Sequence, residues 1–235
     1  MRQTELQRRY NEWHRQRLAQ DVAALEIDPR ELRFFDWLLG LAPPRAGQSL
    51  LDVACGQGHF LAYAASRSLE VSGIDLSDLA VGEARKRLPE ADIRVGAAES
   101  LPFEDESFDR VTCLGSLEHF PDPPAGAREM QRVLARGGTA IIYLPNLFFL
   151  GHVWLGLRHG IEPSEGGQGF SESFKSSQGW AELLSEAGFT VRDYHPWNYI
   201  YASEKVSPIV RSIWNLVSRV MPRNGAYCFA FVCSR

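Results

Sequence analysis

Residues 50–60, LLDVACGQGHF, contain the strongest indication of the fold. An apolar, strand-like run ends at the turn Gly56-Gln57-Gly58, and a helix-like stretch begins at His59. Glycine has no Cβ and tolerates positive φ, so a strand, a glycine turn and a helix in this order bring the backbone close to a ligand. This stretch predicts a ligand-binding turn after the first strand of an α/β sheet.

Strand-like and helix-like runs alternate outward from this turn. The alternation predicts a parallel sheet with helices on both faces, and ligands of such sheets bind beyond the carboxyl ends of the strands. Residues 1–40 are also predicted to be helical. The predicted strands are 49–54, 70–74, 93–95, 108–114, 139–144, 190–198 and 227–232, and the further predicted helices are 59–68, 79–88, 125–134 and 177–187.

The composition of the 235-residue chain is that of an ordinary globular domain, with 45% apolar and 23% charged residues. This balance excludes disordered, collagenous and coiled-coil classes for the chain as a whole. The net charge of −4 lacks the basic excess of a general nucleic-acid binder. Four cysteines without a CxxC pair favour a reduced, cytoplasmic setting, and the basic N-terminal stretch lacks the apolar run of a signal peptide.

One apolar segment, residues 140–157, is nearly long enough to cross a bilayer. Pro145-Asn146 divides it, which favours a strand, a turn and a short helix. We therefore expect no transmembrane segment. A second apolar stripe over residues 209–221 suits core packing, a dimer seam or contact with a membrane surface, and these alternatives stay open.

The charges around the glycine turn indicate the kind of ligand. Leu61 stands where a dinucleotide-binding fingerprint has its third glycine, and Asp52 places an acid just before the turn. An acid there suits a cationic, phosphate-free nucleoside better than a nicotinamide dinucleotide. Asp75, which ends the second predicted strand, is positioned to accept hydrogen bonds from ribose hydroxyls, because Ser77 or Asp78 lies closer to the following helix as its cap.

Four motifs in order resemble the class I S-adenosylmethionine-dependent methyltransferases. Residues 50–60 resemble the glycine motif, 73–77 (GIDLS) the acidic ribose motif, and 97–123 and 128–146 the segments around the third to fifth strands; 179–189 matches more loosely. The resemblance implies a Rossmann-like, doubly wound, mostly parallel seven-stranded sheet with an antiparallel terminal strand. It also implies S-adenosyl-L-methionine as cofactor, S-adenosyl-L-homocysteine as product and small-molecule methylation, as in secondary metabolism.

The resemblance further implies where the cofactor binds. The backbone of residues 54–58 would lie against the methionine part, and Asp75 would hold the ribose. Residues 97–99 would border the adenine, although Ala97 replaces the aspartate that many relatives have there. Gly115 would lie near the sulfonium, and Tyr10 would cover the cofactor. The implied cofactor-binding residues are Tyr10, Asp52, Ala54, Cys55, Gly56, Gly58, Asp75, Leu76, Ala97, Ala98, Glu99, Gly115 and Ser116.

Methyl transfer requires alignment and, for an oxygen nucleophile, removal of a proton. His119 is the candidate general base, with a structural role in orienting its loop as the equal alternative. No metal is expected, because metal-using members of this class have Asp at the end of the fourth strand, whereas residues 114–116 here are LGS. The candidate substrate contacts lie in a glycine-rich segment, either a lid or a solvated loop: His152, Arg158, His159 and Phe170.

The sequence therefore predicts an enzyme that transfers a methyl group to an oxygen of a small molecule. Methylation of nitrogen or carbon on the same fold, or a non-catalytic cofactor-binding module, are the alternatives. We expect a monomer or homodimer with no nucleic-acid partner. The predicted parts of one domain, residues 1–235, are an N-terminal helical cap (1–45), a cofactor-binding core (46–146), a substrate lid (147–176) and a C-terminal completion of the sheet (177–235).

Overall fold

The computed structural model describes residues 3–20, 29–160, 173–198, 216–217 and 221–235. The strands in these ranges form one sheet. They are β1 (Ser49–Val53), β2 (Glu70–Asp75), β3 (Asp92–Val95), β4 (Phe108–Leu114), β5 (Leu134–Pro145), β6 (Thr190–Trp197) and β7 (Cys228–Ser234).

The order of the strands across the sheet is β3-β2-β1-β4-β5-β7-β6. Strands β1 to β5 pair in parallel, and β7 runs antiparallel to both β5 and β6. The predicted Rossmann-like sheet with an antiparallel terminal strand is thereby confirmed. Because β1 is flanked by β2 and β4, the turns that follow these three strands meet at one edge of the sheet.

The helices begin where the sequence provides suitable first residues. Pro29 opens α2, a position where its missing N–H costs no hydrogen bond. The Ser77 hydroxyl caps α4 by accepting a 3.1 Å hydrogen bond from the amide of Ala80. The helices are α1 (Gln3–Gln20), α2 (Pro29–Leu41), α3 (His59–Ser66), α4 (Asp78–Arg87), α5 (Pro123–Val133), α6 (Leu150–His159) and α7 (Ser177–Glu186).

Two apolar clusters hold helices on the two faces of the sheet. Successive strand residues alternate between them: Leu50 and Ile141 belong to one cluster, Leu51 and Ile142 to the other. The first cluster includes buried residues of α2, α3 and α4, and the second includes those of α5 and α7. The result is the predicted three-layer arrangement.

The segment from β5 to α6 forms the predicted strand, turn and helix. Asn146, 1% exposed, donates hydrogen bonds from Nδ2 to the carbonyls of Asn224 (2.8 Å) and Ala226 (2.7 Å), and its Oδ1 accepts from the amide of Phe148 (3.1 Å). These bonds tie the end of β5 to the approach to β7. No helix in the described ranges is long and apolar enough to cross a membrane.

The largest difference from the predicted boundaries is at β5, and the others agree within two residues. Strand β5 begins at Leu134 rather than at residue 139, because Leu134 pairs with Phe108 and a register shift before Arg110 absorbs the intervening residues. Helix α6 occupies part of the glycine-rich segment predicted as a lid, while residues 161–172 lie outside the described ranges.

Candidate functional site

A cavity of about 1160 Å³ lies at the carboxyl edge of the sheet. Residues directly after β1, β2, β3 and β4 line it, as do residues of α1, α2 and α3. This is the place where open α/β sheets bind ligands, at the point where the strand order reverses around β1. A cavity of this size accommodates a nucleoside together with a second small molecule.

The turn after β1 is built from residues with left-handed backbone. Ala54, Gly56 and Gly58 have φ values of 61°, 53° and 75°. Ala54, Cys55 and Gly56 line the cavity, so their backbone is exposed to a ligand. Alanine at position 54 is conformationally costly, because its φ of 61° lies in the left-handed region that favours glycine.

Gly58 is not among the described residues that line the cavity, and its role as a cofactor contact stays a prediction. A Cβ at this residue would lie 3.1 Å from the Cβ of Ala84 in α4. Gly58 is also the N-cap of α3 with positive φ. This glycine therefore permits the turn and the close packing of the turn against α4.

Asp75 is fixed by backbone amides at the end of β2. Its Oδ2 accepts a 2.8 Å hydrogen bond from the amide of Gly56, and its Oδ1 accepts a 2.8 Å bond from the amide of Ser77. The side chain lines the cavity although the residue is only 8% exposed. Burial raises the pKa of its carboxyl group, while the two amides act in the opposite direction. An ionised carboxylate has further lone pairs that can accept hydrogen bonds from hydroxyl groups.

Asp52 lines the cavity from β1, the strand that lies between β2 and β4. Thr112 donates a 2.6 Å hydrogen bond from its hydroxyl to Oδ1 of Asp52. Burial raises the pKa of this carboxyl group to about 7, and the nearby charge of Asp75 adds to the effect. A cation bound beside Asp52 would favour its ionised form.

The charged side chains that line the cavity share one sign. No lysine or arginine of the described residues is among the lining side chains. Such a wall attracts a cation and offers no counterion for phosphate groups. The acidic lining residues are Glu31, Asp52, Asp75 and Glu99.

The predicted adenine-binding residues form one part of the wall. Leu76, Ala97, Ala98 and Glu99 all line the cavity, together with Gly96. The carboxylate of Glu99 also accepts a 3.4 Å hydrogen bond from a backbone amide of the loop after β4. Small side chains after β3 thus leave room for a flat ring beside Leu76.

Helix α1 closes the cavity and is held on α4. Asn11 donates a 2.6 Å hydrogen bond to Asp78, and its Oδ1 accepts one of 2.6 Å from the Ser77 hydroxyl. Tyr10, on the same helix, lines the cavity. Burial and the charge of Asp75 hold the pKa of the Tyr10 phenol above its ordinary range, so the phenol is neutral.

The loop after β4 contributes the predicted catalytic group. Gly115 has a φ of 65°, and Gly115, Ser116 and His119 all line the cavity. Burial lowers the pKa of His119, so its imidazole is neutral near pH 7. Its Nε2 lies 3.9 Å from Oε1 of Glu118, which is beyond hydrogen-bond distance.

Of the predicted substrate contacts, Arg158 and His159 lie in the described ranges and are not at this cavity. Arg158 and His159 are exposed at the end of α6 and are not among the lining residues, because this end of the helix points into solvent. Phe170 and the side chain of His152 lie outside what the structure describes. In the described ranges, no group of three or more His, Cys, Asp or Glu side chains is arranged to hold a metal ion.

Sequence analysis missed one wall of the cavity, made by α2 and the start of α3. Phe34, Phe35 and Glu31 of α2 line it, together with His59 and Phe60 of α3. His59 follows the glycine turn directly, and this adjacency was the available signal. No signal in the sequence indicated the contribution of α2, because that contribution depends on how the helix docks.

The fold and the cavity define a Rossmann-like protein that binds a cationic nucleoside. Residues 51–142 match the family model described as "Methyltransferase domain". The chain is 31% identical over 192 residues to the ubiquinone biosynthesis O-methyltransferase of Azoarcus sp. (strain BH72), covering 75% of this chain and 79% of that protein. It is 30% identical over 167 residues to the demethylmenaquinone methyltransferase of Chlorobaculum tepidum, covering 64% and 69%.

A solved structure shares the fold over nearly the whole chain. It comes from the complex between the Haloferax volcanii Trm112 methyltransferase activator and a methyltransferase, with a TM-score of 0.71 and 19% identity, covering 97% of this chain and 96% of that one. Taken with the sequence relatives, these matches identify the chain as a member of the class I S-adenosylmethionine-dependent methyltransferases. Its homologues act on small molecules.

Proposed function

We propose that this protein methylates an oxygen atom of a small-molecule acceptor without a metal ion, with His119 as general base. The observation that carries the proposal is that a neutral imidazole lines the same cavity as Asp75 and the glycine turn. An imidazole of this kind can accept the proton that an oxygen nucleophile must lose. The relative from Azoarcus, named an O-methyltransferase, supports oxygen as the atom methylated.

The lining residues fit S-adenosylmethionine. In the proposed arrangement, Asp75 binds the ribose, and the backbone of residues 54–56 contacts the methionine part. Leu76 and residues 97–99 border the adenine, and Tyr10 covers the cofactor. The acidic wall and the absence of basic lining residues among those described suit a cation without phosphate. When bound, this cofactor supplies a methyl carbon activated by a positively charged sulfur.

The residues of the chain have a limited task in such a reaction. The walls hold the acceptor in line and exclude water, and the His119 imidazole takes up the hydroxyl proton. Gly115 and Ser116 are proposed to border the reacting centre, because they line the cavity between the glycine turn and His119. We further propose that the helices of residues 1–45 form a cap over the cofactor-binding core (46–146) within one domain.

The experiment is transfer of a labelled methyl group from S-adenosylmethionine to defined panels of phenols, primary amines and carbon acids. We expect label in an ether product from a phenol, with a rate that a metal chelator leaves unchanged. Label found only on nitrogen or carbon would contradict the proposed oxygen acceptor. Cofactor binding without transfer to any panel would support a non-catalytic module instead.

A further inference from the structure

His59 and Glu31 form an imidazole–carboxylate pair in the cavity wall. Nδ1 of His59 lies 3.1 Å from Oε2 of Glu31, and both side chains are largely buried. A carboxylate at this distance accepts the Nδ1 proton and so fixes the tautomer in which Nε2 carries the lone pair. The pair comes from two elements, since Glu31 is in the first turn of α2 and His59 is the first residue of α3.

The other nitrogen of the ring is unsatisfied. Nε2 of His59 is buried and has no hydrogen-bond partner among the described residues. A buried acceptor without a donor costs free energy, so a ligand that supplies a polar hydrogen gains from meeting it. Because His59 lines the cavity, that ligand is a molecule bound there.

The surface beside this pair is aromatic. Phe35 packs edge to face with Phe60, with ring centroids 5.2 Å apart, and Phe34 packs in the same way against Tyr143 at 4.8 Å. Phe34, Phe35 and Phe60 all line the cavity. Rings held in this way form a rigid wall against which another aromatic ring can pack.

We propose that the wall of α2 and α3 binds a hydroxylated aromatic methyl acceptor, with Nε2 of His59 accepting a hydrogen bond from a ring hydroxyl. Glu31 acts as a positioning residue that holds the tautomer of His59. This inference rests on the proposed function and names the class of acceptor. The hydroxyl bound by His59 is one that orients the ring, and His119 remains the base at the reacting oxygen.

The experiment follows the imidazole nitrogens of ring-¹⁵N-labelled histidines in the protein saturated with S-adenosylhomocysteine. The probes are phenol and anisole, which have the same ring and differ in the hydroxyl hydrogen. We expect phenol to move the Nε2 resonance of His59 in the direction of hydrogen bonding, and anisole to bind without this shift. Because one neutral hydrogen bond is lost, His59→Gln should weaken the binding of phenol about five- to tenfold and leave that of anisole unchanged.

The control is His195→Gln, because His195 also lies beside a carboxylate, with Nε2 3.5 Å from Asp193, but does not line the cavity. This variant should bind phenol like the wild type. Glu31→Gln tests the positioning role, since the ring should then populate both tautomers in the ¹⁵N spectrum. Its spectrum also reports whether the fold is intact.

Three results would overturn the proposal. One is that neither probe binds to a protein that does bind S-adenosylhomocysteine, which rejects the acceptor class while the proposed function stands. Another is a shift of Nε2 caused by S-adenosylhomocysteine alone, with no further change on adding phenol, which assigns His59 to the cofactor. The third is equal loss of phenol binding in the His59 and His195 variants.

Discussion

Thr112 on β4 donates a 2.6 Å hydrogen bond to the carboxyl group of Asp52 on the neighbouring strand β1. The pKa of Asp52 is nevertheless raised to about 7, because burial outweighs this bond. A bound sulfonium favours the ionised carboxylate, so we expect binding to release a proton and affinity to rise as the pH approaches about 7, with no further rise above it. Calorimetry in two buffers of different ionisation enthalpy measures this release. Asp52→Asn should abolish it, and an unchanged slope in that variant would contradict the role of Asp52.

The same carboxyl group makes the stability of the ligand-free protein depend on pH. In the folded protein Asp52 keeps its proton up to about pH 7, whereas in the unfolded chain it loses it near the ordinary value of 3.8. Between pH 3.8 and about pH 7 the folded state therefore binds more protons than the unfolded chain. The stability that protonated Asp52 contributes is complete below pH 3.8 and is lost as the pH rises to about 7. Urea unfolding between these pH values should show the loss in the wild type and a smaller one in Asp52→Asn.

Asp75→Asn should weaken cofactor binding about ten- to hundredfold, because a charged acceptor of hydrogen bonds is replaced by a neutral one. An amide group has a single acceptor oxygen, so one of the amides of Gly56 and Ser77 would also lose its partner. Calorimetry with S-adenosylhomocysteine measures the effect. Asp92→Asn, on exposed β3 surface, is the matched control and should bind normally. Equal affinity in both variants would remove Asp75 from the site.

His119→Ala should lower kcat about 10²- to 10⁴-fold, the usual contribution of a general base, and leave the dissociation constant of S-adenosylmethionine unchanged. Since burial lowers the pKa of His119 below its ordinary 6.5, the wild-type rate should fall only on the acidic side of that value. The variant should lose this acidic limb. A variant that keeps both the rate and the limb would leave His119 with a structural role only.

Ala54→Gly should stabilise the protein by about 0.5–1 kcal/mol. The left-handed backbone at φ 61° costs alanine free energy, and glycine avoids that cost at the price of a more flexible unfolded chain. For a chain of this size the melting temperature should rise by about 1–2 °C. Ala80→Gly inside α4 is the opposite control, where the same exchange should destabilise. Destabilisation by Ala54→Gly would show that the methyl group packs usefully.

Asn146→Ala should destabilise the protein by about 2–4 kcal/mol, because the carbonyls of Asn224 and Ala226 and the amide of Phe148 lose a shared partner. Chemical unfolding measures this change. A loss below about 1 kcal/mol would mean that water replaces the side chain at little cost. Cofactor affinity should change little, since Asn146 does not line the cavity.

Many of the residues that line the cavity could be predicted, because their positions depend on local order along the chain. Asp75 ends β2 and Ala54 directly follows β1, and the carboxyl ends of parallel strands meet at one edge. Gly58 shows the limit of this reasoning. A glycine in such a turn can serve the ligand or a neighbouring helix, and its close approach to Ala84 could not be read from the sequence.

The wall made by α2 could not be predicted, because an apolar stripe fixes which face of a helix is buried but not what the rest of it faces. Glu31 lies next to His59 only after α2 docks against α3. The position of Arg158 and His159 away from the cavity could not be predicted for a related reason. Their polar character suggested contact with a substrate, but the end of α6 that bears them is exposed.

The amide and the hydroxyl of Ser77 together take part in three hydrogen bonds at one point of the chain. Its amide donates to Asp75, its hydroxyl donates to Asn11 of α1, and the same hydroxyl accepts from Ala80. The position of Asp75, which is the proposed ribose contact, the attachment of α1 and the start of α4 therefore share one residue. The changes in unfolding free energy caused by substitutions at Asn11, Ser77 and Asp75 should not add. Each single variant already loses the free energy of coupling within this hydrogen-bond network, so a double variant loses less than the sum of the two single variants. A substitution that loosens the attachment of α1 at Ser77 is therefore expected to change the proposed binding of the nucleoside by Asp75 as well.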